Sequence, residues 1–171
     1  EGLMALVLNT NSYVEITDAS TYFETRIDSA NWDTAADATR EDALVTATQI
    51  IDNNPWIGSA VSPSQALAWP RKNALYYDNR LGQQITFSNV EIPSLVKIAV
   101  YEQALHLLNN EDLLAQTIQT YESISIGNIS LSDSNNDVTR ISITPNFVIK
   151  PIRSLIRRGT SGMGSSWWRS N

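Results

Sequence analysis

Cysteine is absent from this chain of 171 residues, so neither a disulfide nor a thiolate metal site can be built from its own side chains. Histidine is nearly absent, since His106 is the only one. An enzyme of this size normally shows a nucleophile with a base, a carboxylate pair or a metal set, and these residues offer none in recognisable spacing. Glycine-rich phosphate loops are missing as well: "LGQQ" and "IGN" are the nearest approaches, and neither has the required pattern. No stretch approaches the roughly 20 apolar residues of a membrane helix. The opening "EGLMALVLNTNSYV" carries an apolar patch without a basic lead-in, so it does not read as a signal peptide. Met4 reads as a natural start, with Glu1 to Leu3 upstream of it. The chain is therefore expected to be no enzyme, to need no cofactor or metal, and to contact no membrane.

Acidic residues are the next thing one end of the chain lacks. The formal net charge is −6, yet Asp137 is the last acid. From Val138 to Asn171 there are six positive residues and no negative one: Arg140, Lys150, Arg153, Arg157, Arg158 and Arg169. The other 137 residues hold 18 acids against six bases, a net of −12. An acidic body with a basic tail implies a tail that docks on something acidic, whether nucleic acid, another subunit or a different protein.

Hydrophobic residues make up 42% of the chain, enough for the modest core of one domain. "TDASTYFETRID" predicts a first helix, capped by Thr17 or Asp18, with Ala19, Tyr22, Phe23 and Ile27 on one face. Trp32 in "SANWD" is expected to fold back onto the core. A second helix is predicted from about Ala38 to Asp52, with Thr39 and Asp42 at the spacing of a weak capping box. "DNNPWIG" stops it. Residues 53 to 92 show little periodicity and read as a long connection pinned by aromatics. Pro93 opens the strongest helical pattern, "PSLVKIAVYEQALHLLNNED", apolar almost all round and therefore central. Glu102 and His106 within it stand at the spacing of a structural ion pair. The acids of "DASTYFETRID" and "REDA" read as solvated helix faces.

Beyond "NNEDLLAQT" the pattern alternates. Ile124, Ile126, Ile129 and Leu131, interrupted by Gly127-Asn128, predict a β-hairpin near 121–132. "FVIKPIRSLIRRG" suggests a last helix after Pro151. The expected fold is mainly α: a small bundle of about three principal helices with a β-hairpin excursion and an extended C-terminal arm. Residues 1–10 form an N-terminal segment, 11–158 the domain, and 159–171 the arm. The arm's Gly and Ser imply a flexible link, and Trp167 with Trp168 an anchor. Arg153, Arg157, Arg158, Trp167, Trp168 and Arg169 are the expected partner-docking residues.

The least ordinary stretch is "PSQALAWPRKN". Trp69 presents a large apolar surface, whose burial stabilises by roughly 2–4 kcal/mol. Pro70 restricts both itself and Trp69 to extended backbone. Arg71 can stack on an aromatic ring or bridge to a carboxylate. Trp69, Pro70 and Arg71 read as a structural latch pinning the long loop to the helices. The alternative is a contact to the next subunit.

The ordered set "NSYVEITDASTYFETR", Trp32, "ALVTATQIID", "QALAWPR" and "IPSLVKIAVYEQALHLL" resembles the head–tail connector or adaptor proteins of tailed bacteriophages. Relatives of that kind often carry a DnaT-like single-stranded-DNA-binding label. The resemblance covers roughly residues 11 to 110 and extends more weakly to about 158. It implies a structural virion protein that forms a homo-oligomeric ring, commonly a dodecamer. The portal protein would sit above it, a tail or nozzle protein below, and DNA would pass through as cargo. It further implies a place at the head–tail junction of the virion, reached from the host cytoplasm during assembly. The alternative is a single-stranded-DNA-binding replication protein. Such proteins need a basic groove interleaved with aromatics, and in the sequence only "RRGTSGMGSSWWR" offers one.

Overall fold

The computed structural model describes residues 5–78, 80–110 and 142–157. Helix α1 spans Ile16–Phe23, α2 Ala30–Thr34, α3 Asp37–Asp52, α4 Ser94–Leu108 and α5 Asn146–Ile152. Strands β1 (Ser59–Ala60) and β2 (Arg71–Lys72) form one antiparallel pair, and β3 (Leu75–Asp78) and β4 (Gln83–Thr86) another. The fold is therefore mixed α/β rather than the mainly α bundle of three principal helices that periodicity predicts. The difference lies in residues 53–92, which fold into two small sheets instead of running as a loop. Positive φ at Gly58, Asn73 and Gly82 turns the chain there. Both the hairpin expected near 121–132 and the arm at 159–171 lie outside the described residues.

The core is built on α4. Every residue from Ala99 to His106 is buried, as a helix apolar on nearly all sides must be. It packs against α3 on one side and α5 on another. Leu44, Ala47 and Ile51 of α3 meet Val96, Ala99, Val100 and Ala104 of α4, with Val148 and Ile152 of α5 closing the cluster. Small alanines on both principal helices let their axes approach closely. Trp32, in α2, is buried against Phe23, with ring centres 4.8 Å apart.

Several boundaries differ from the sequence expectation. α1 begins after Glu15, whose backbone is extended, and no side chain caps it. Thr17 and Asp18 lie inside the helix instead. Because α1 ends at Phe23, Ile27 falls beyond it and is fully exposed rather than sharing the core face. α3 begins after Ala36 with no side-chain cap, so Thr39 and Asp42 form no capping box. α5 starts after Pro145 and carries Pro151 in its last turn, where its missing N–H removes only one bond of a helix already ending. The expected helix after Pro151 is thus a helix that begins before it and ends one residue beyond it. The chain after α5 is pinned to the start of the long connection. Leu155 O accepts from Ile57 N–H at 2.9 Å, and Arg157 N–H donates to Pro55 O at 2.6 Å.

Candidate nucleic-acid interface

The latch residues come together around one buried indole. Trp69 is 2% exposed. It stands edge-on to Trp56 and to Phe87, each 5.7 Å away between ring centres. The Trp69–Pro70 peptide bond is cis. Trp69 N–H donates to Tyr13 Oη at 3.1 Å, and Tyr13 Oη–H in turn donates to Asp52 Oδ1. Ala68 N–H donates to the same carboxylate oxygen at 2.9 Å. Burial, then the neighbouring Asp52 carboxylate, raises the Tyr13 phenol well above its ordinary pKa. Gln65 clamps the turn from both ends. Its Oε1 accepts from Val61 and Ser62 N–H, while its Nε2 donates to Leu67 and Pro70 carbonyls.

Among the described residues, Arg71 makes neither the aromatic stack nor the carboxylate bridge expected of it. Its guanidinium donates to three backbone carbonyls: Ile57 O at 2.7 Å, Ala68 O at 3.1 Å and Gly58 O at 2.9 Å. The planar five-donor fork fits converging carbonyls. It holds the latch to the turn before β1, where Gly58 lies against the backbone of Lys72 and Ala74. Burial lowers the Arg71 pKa from the ordinary arginine value.

Glu102 and His106 do not pair with each other either. Glu102 is buried and is held by Arg26 and by the Tyr22 hydroxyl. His106 Nε2 lies 2.8 Å from Ser142 O. An i,i+4 pair on a central helix is pulled apart because each side chain faces a different neighbouring segment.

From the latch, the aromatic run continues into the β3–β4 hairpin. Phe87 stacks flat on Tyr76, with centres 4.4 Å apart and rings 8° from parallel. Tyr76 and Tyr77 point to opposite faces of β3, as successive strand residues must. Tyr77 is therefore left 54% exposed. The hairpin turn is fixed by Asp78, whose Oδ1 accepts from Arg80 N–H at 2.8 Å and Leu81 N–H at 3.2 Å. That turn presents the Arg80 side chain outward, 81% exposed and 3.8 Å from Asp78 Oδ2.

Between this hairpin and α5 runs a cleft of about 580 Å³. Tyr76, Tyr77, Asp78 and Arg80 form one wall, and Lys150, Pro151, Arg153 and Ser154 the other. Ser94 and Leu95, the first residues of α4, close its end. The N-cap of α4 is Pro93, with no side-chain cap bond, so its first N–H groups keep their affinity for anions. Three cations and one carboxylate give the cleft a net charge of +2. Of the expected docking residues, Arg153 lies in this cleft. Arg157 lies instead near Arg71, whose guanidinium it repels. Arg158, Trp167, Trp168 and Arg169 lie outside the described residues. The sequence reading missed Tyr77 and Arg80 as members of a basic, aromatic surface. "YYDNRLGQ" carried the signal: paired aromatics, an Asp turn and an outward Arg.

Among the described residues, no group of three or more His, Asp or Glu could hold a metal ion, and no helix is long and apolar enough to cross a membrane. A family model described as "Putative DnaT-like ssDNA binding protein" matches residues 4–169. That description names no head–tail connector. No protein of curated function and no solved structure matches the chain.

Proposed function

We propose, for a chain that belongs to the family of putative DnaT-like ssDNA-binding proteins, that it binds single-stranded DNA in the cleft between the β3–β4 hairpin and α5. The observation that carries this reading is that Tyr77, 54% exposed, lines the same cleft as Arg80, Lys150 and Arg153. Single-strand binders combine a cationic track for phosphates with an aromatic face on which bases stack. A stacked base stabilises by roughly 1–3 kcal/mol, whatever its sequence. Outside the cleft, the described residues hold eleven acids against six bases, so among the described residues charge favours DNA in this track. Asp78 is spent on the turn and on Arg80, so it opposes the phosphates weakly.

The reading is tested by titrating full-length protein into labelled single-stranded and duplex oligonucleotides at several salt concentrations. Single-stranded DNA should bind in preference to duplex, with a log–log salt slope of about −2, from roughly 0.7 per neutralised phosphate. Equal binding of duplex, or a slope near zero, would contradict it.

A second reading is favoured by the acidity of the remaining surface. A head–tail adaptor ring, with the portal protein above and a tail or nozzle protein below, needs a channel wall that does not hold its cargo. An acidic surface meets that need, and exposed Ile27 and Val90 supply apolar points for neighbouring subunits. In this reading the chain belongs to the virion at the head–tail junction, and the basic arm docks on the adjoining subunit. Solution mass, measured with and without portal protein, separates the two readings. A ring of about a dozen copies on the portal supports the adaptor, and a monomer unaffected by portal excludes it.

A further inference from the structure

The DNA cleft has a neighbour. A second cavity of about 510 Å³ lies on the other side of α5, and Pro151 lines both. Its wall is aromatic: Tyr22, His106 and Phe147. Phe147 is 52% exposed and stands edge-on to His106, with centres 5.9 Å apart. The contact of His106 Nε2 with Ser142 O steadies that edge. The exposed half of the Phe147 ring is open to a flat ligand.

The polar side of the cavity is built around Arg26. Its guanidinium pairs with buried Glu102 and, at 3.1 and 3.3 Å, with both oxygens of Asp28. One cation against two carboxylates leaves a net negative site, which repels a phosphate. The Asp28 side chain is 63% exposed, so its carboxylate stands at the rim as an acceptor. A neutral planar ligand carrying an amino group meets both requirements, the ring face and the acceptor.

We propose that this cavity is a nucleobase pocket, taking one base of a strand whose phosphates lie on Lys150 and Arg153, and preferring amino-bearing bases over thymine. The inference rests on the reading of the cleft as a single-strand site. A strand crossing Pro151 leaves its charge on the cationic side and turns a base into the aromatic one. Exocyclic amines of cytosine, adenine and guanine donate to Asp28, whereas thymine has no such amine.

Equilibrium binding of full-length protein to oligo-dC and oligo-dT of about eight nucleotides, within the usual site sizes, tests the pocket. Oligo-dC should bind roughly 3–10-fold more tightly, in keeping with one added base contact. Phe147→Ala should weaken oligo-dC about 10-fold, the loss of one stacked base, with an unchanged thermal midpoint. Asp28→Ala should erase the difference between dC and dT. Equal affinities, unmoved by either substitution while Lys150→Glu with Arg153→Glu still weakens binding at least about 10-fold, would overturn the pocket and leave the cleft standing. Failure of both oligonucleotides to bind would overturn the cleft and the pocket together.

Discussion

Phe87 lies with one ring face on Tyr76, 4.4 Å between centres, and stands edge-on to Trp69 at 5.7 Å. The buried latch and the exposed hairpin are therefore one aromatic stack. Trp69 supports Phe87, Phe87 supports Tyr76, and Tyr76 fixes the strand on which Tyr77 faces outward. Removing the latch should loosen the cleft between the hairpin and α5 as well as the core.

Trp69→Ala should lower stability by about 3–5 kcal/mol, because a cavity replaces a buried indole. It should also weaken oligonucleotide binding beyond the unfolded fraction. Urea melts together with anisotropy titrations check both. An unchanged midpoint would show the indole to be dispensable to the fold. Trp69 Nε1–H is buried without a partner among the described residues, so Trp69→Phe should cost less than the alanine change.

Gly58→Ala should be costly although the side chain gained is small. A Cβ at this position meets Lys72 O at 2.6 Å and Ala74 N at 2.9 Å, with φ at +70°. Backbone atoms cannot swing aside as a flexible side chain does. A loss of about 2–4 kcal/mol is expected from the overpacking and the left-handed backbone together. A melt within experimental error of the parent would contradict the close approach of β1 and β2.

Alkali should destabilise the protein through its buried phenols. Burial, then hydrogen bonding to Glu102, pushes Tyr22 up to about 12, and burial, then the charge of Asp18, pushes Tyr101 up to about 12. An unfolded tyrosine titrates near 10. Between these values the unfolded chain has lost protons that the folded one still holds, so stability falls as pH rises from about 10 to about 12. Below 10 these groups should leave stability level. Urea midpoints across this range should decline steeply for the parent and less steeply for Tyr22→Phe with Tyr101→Phe. Equal slopes would show that these phenols titrate normally.

In the adaptor reading, Trp167→Ala with Trp168→Ala should leave the melting temperature of the free chain nearly unchanged and reduce its retention on portal protein. Ordering a Gly- and Ser-rich arm costs roughly 1–2 kcal/mol per residue, and the two indoles are the large apolar groups available there to offset it. Unfolding of the double variant would place the pair in the domain's own core. Full retention on portal would remove the anchor.

The long helices were legible in the sequence because α3 and α4 run four turns or more, enough for their period to show. Trp32 and Trp69 stood out as bulk that a single domain would bury. The hairpin was not legible: β3 and β4 are four residues each, and the polar pair Gln83-Gln84 hides the alternation. Two-residue strands such as β1 and β2 leave no period at all. The role of Arg71 was misjudged because its acceptors are main-chain carbonyls, which every residue carries. The cleft joins Tyr77 and Arg80 to Lys150 and Arg153, some seventy residues along the chain, so only the packing of α5 brings them together. The Glu102–His106 pairing failed for the same reason, since helical spacing says who can meet and tertiary neighbours decide who does.

Single-stranded DNA is proposed to lie in the cleft rather than on the basic arm. The direct measurement compares, on oligo-dT and at one fixed salt concentration, the parent chain, a Lys150→Glu with Arg153→Glu variant, and a chain ending after residue 158. The charge reversal should weaken binding at least about 10-fold, since two phosphate contacts become repulsions, while the truncated chain should stay within about threefold of the parent. Binding that survives the charge reversal and vanishes on truncation would rule out the cleft and assign DNA to the arm.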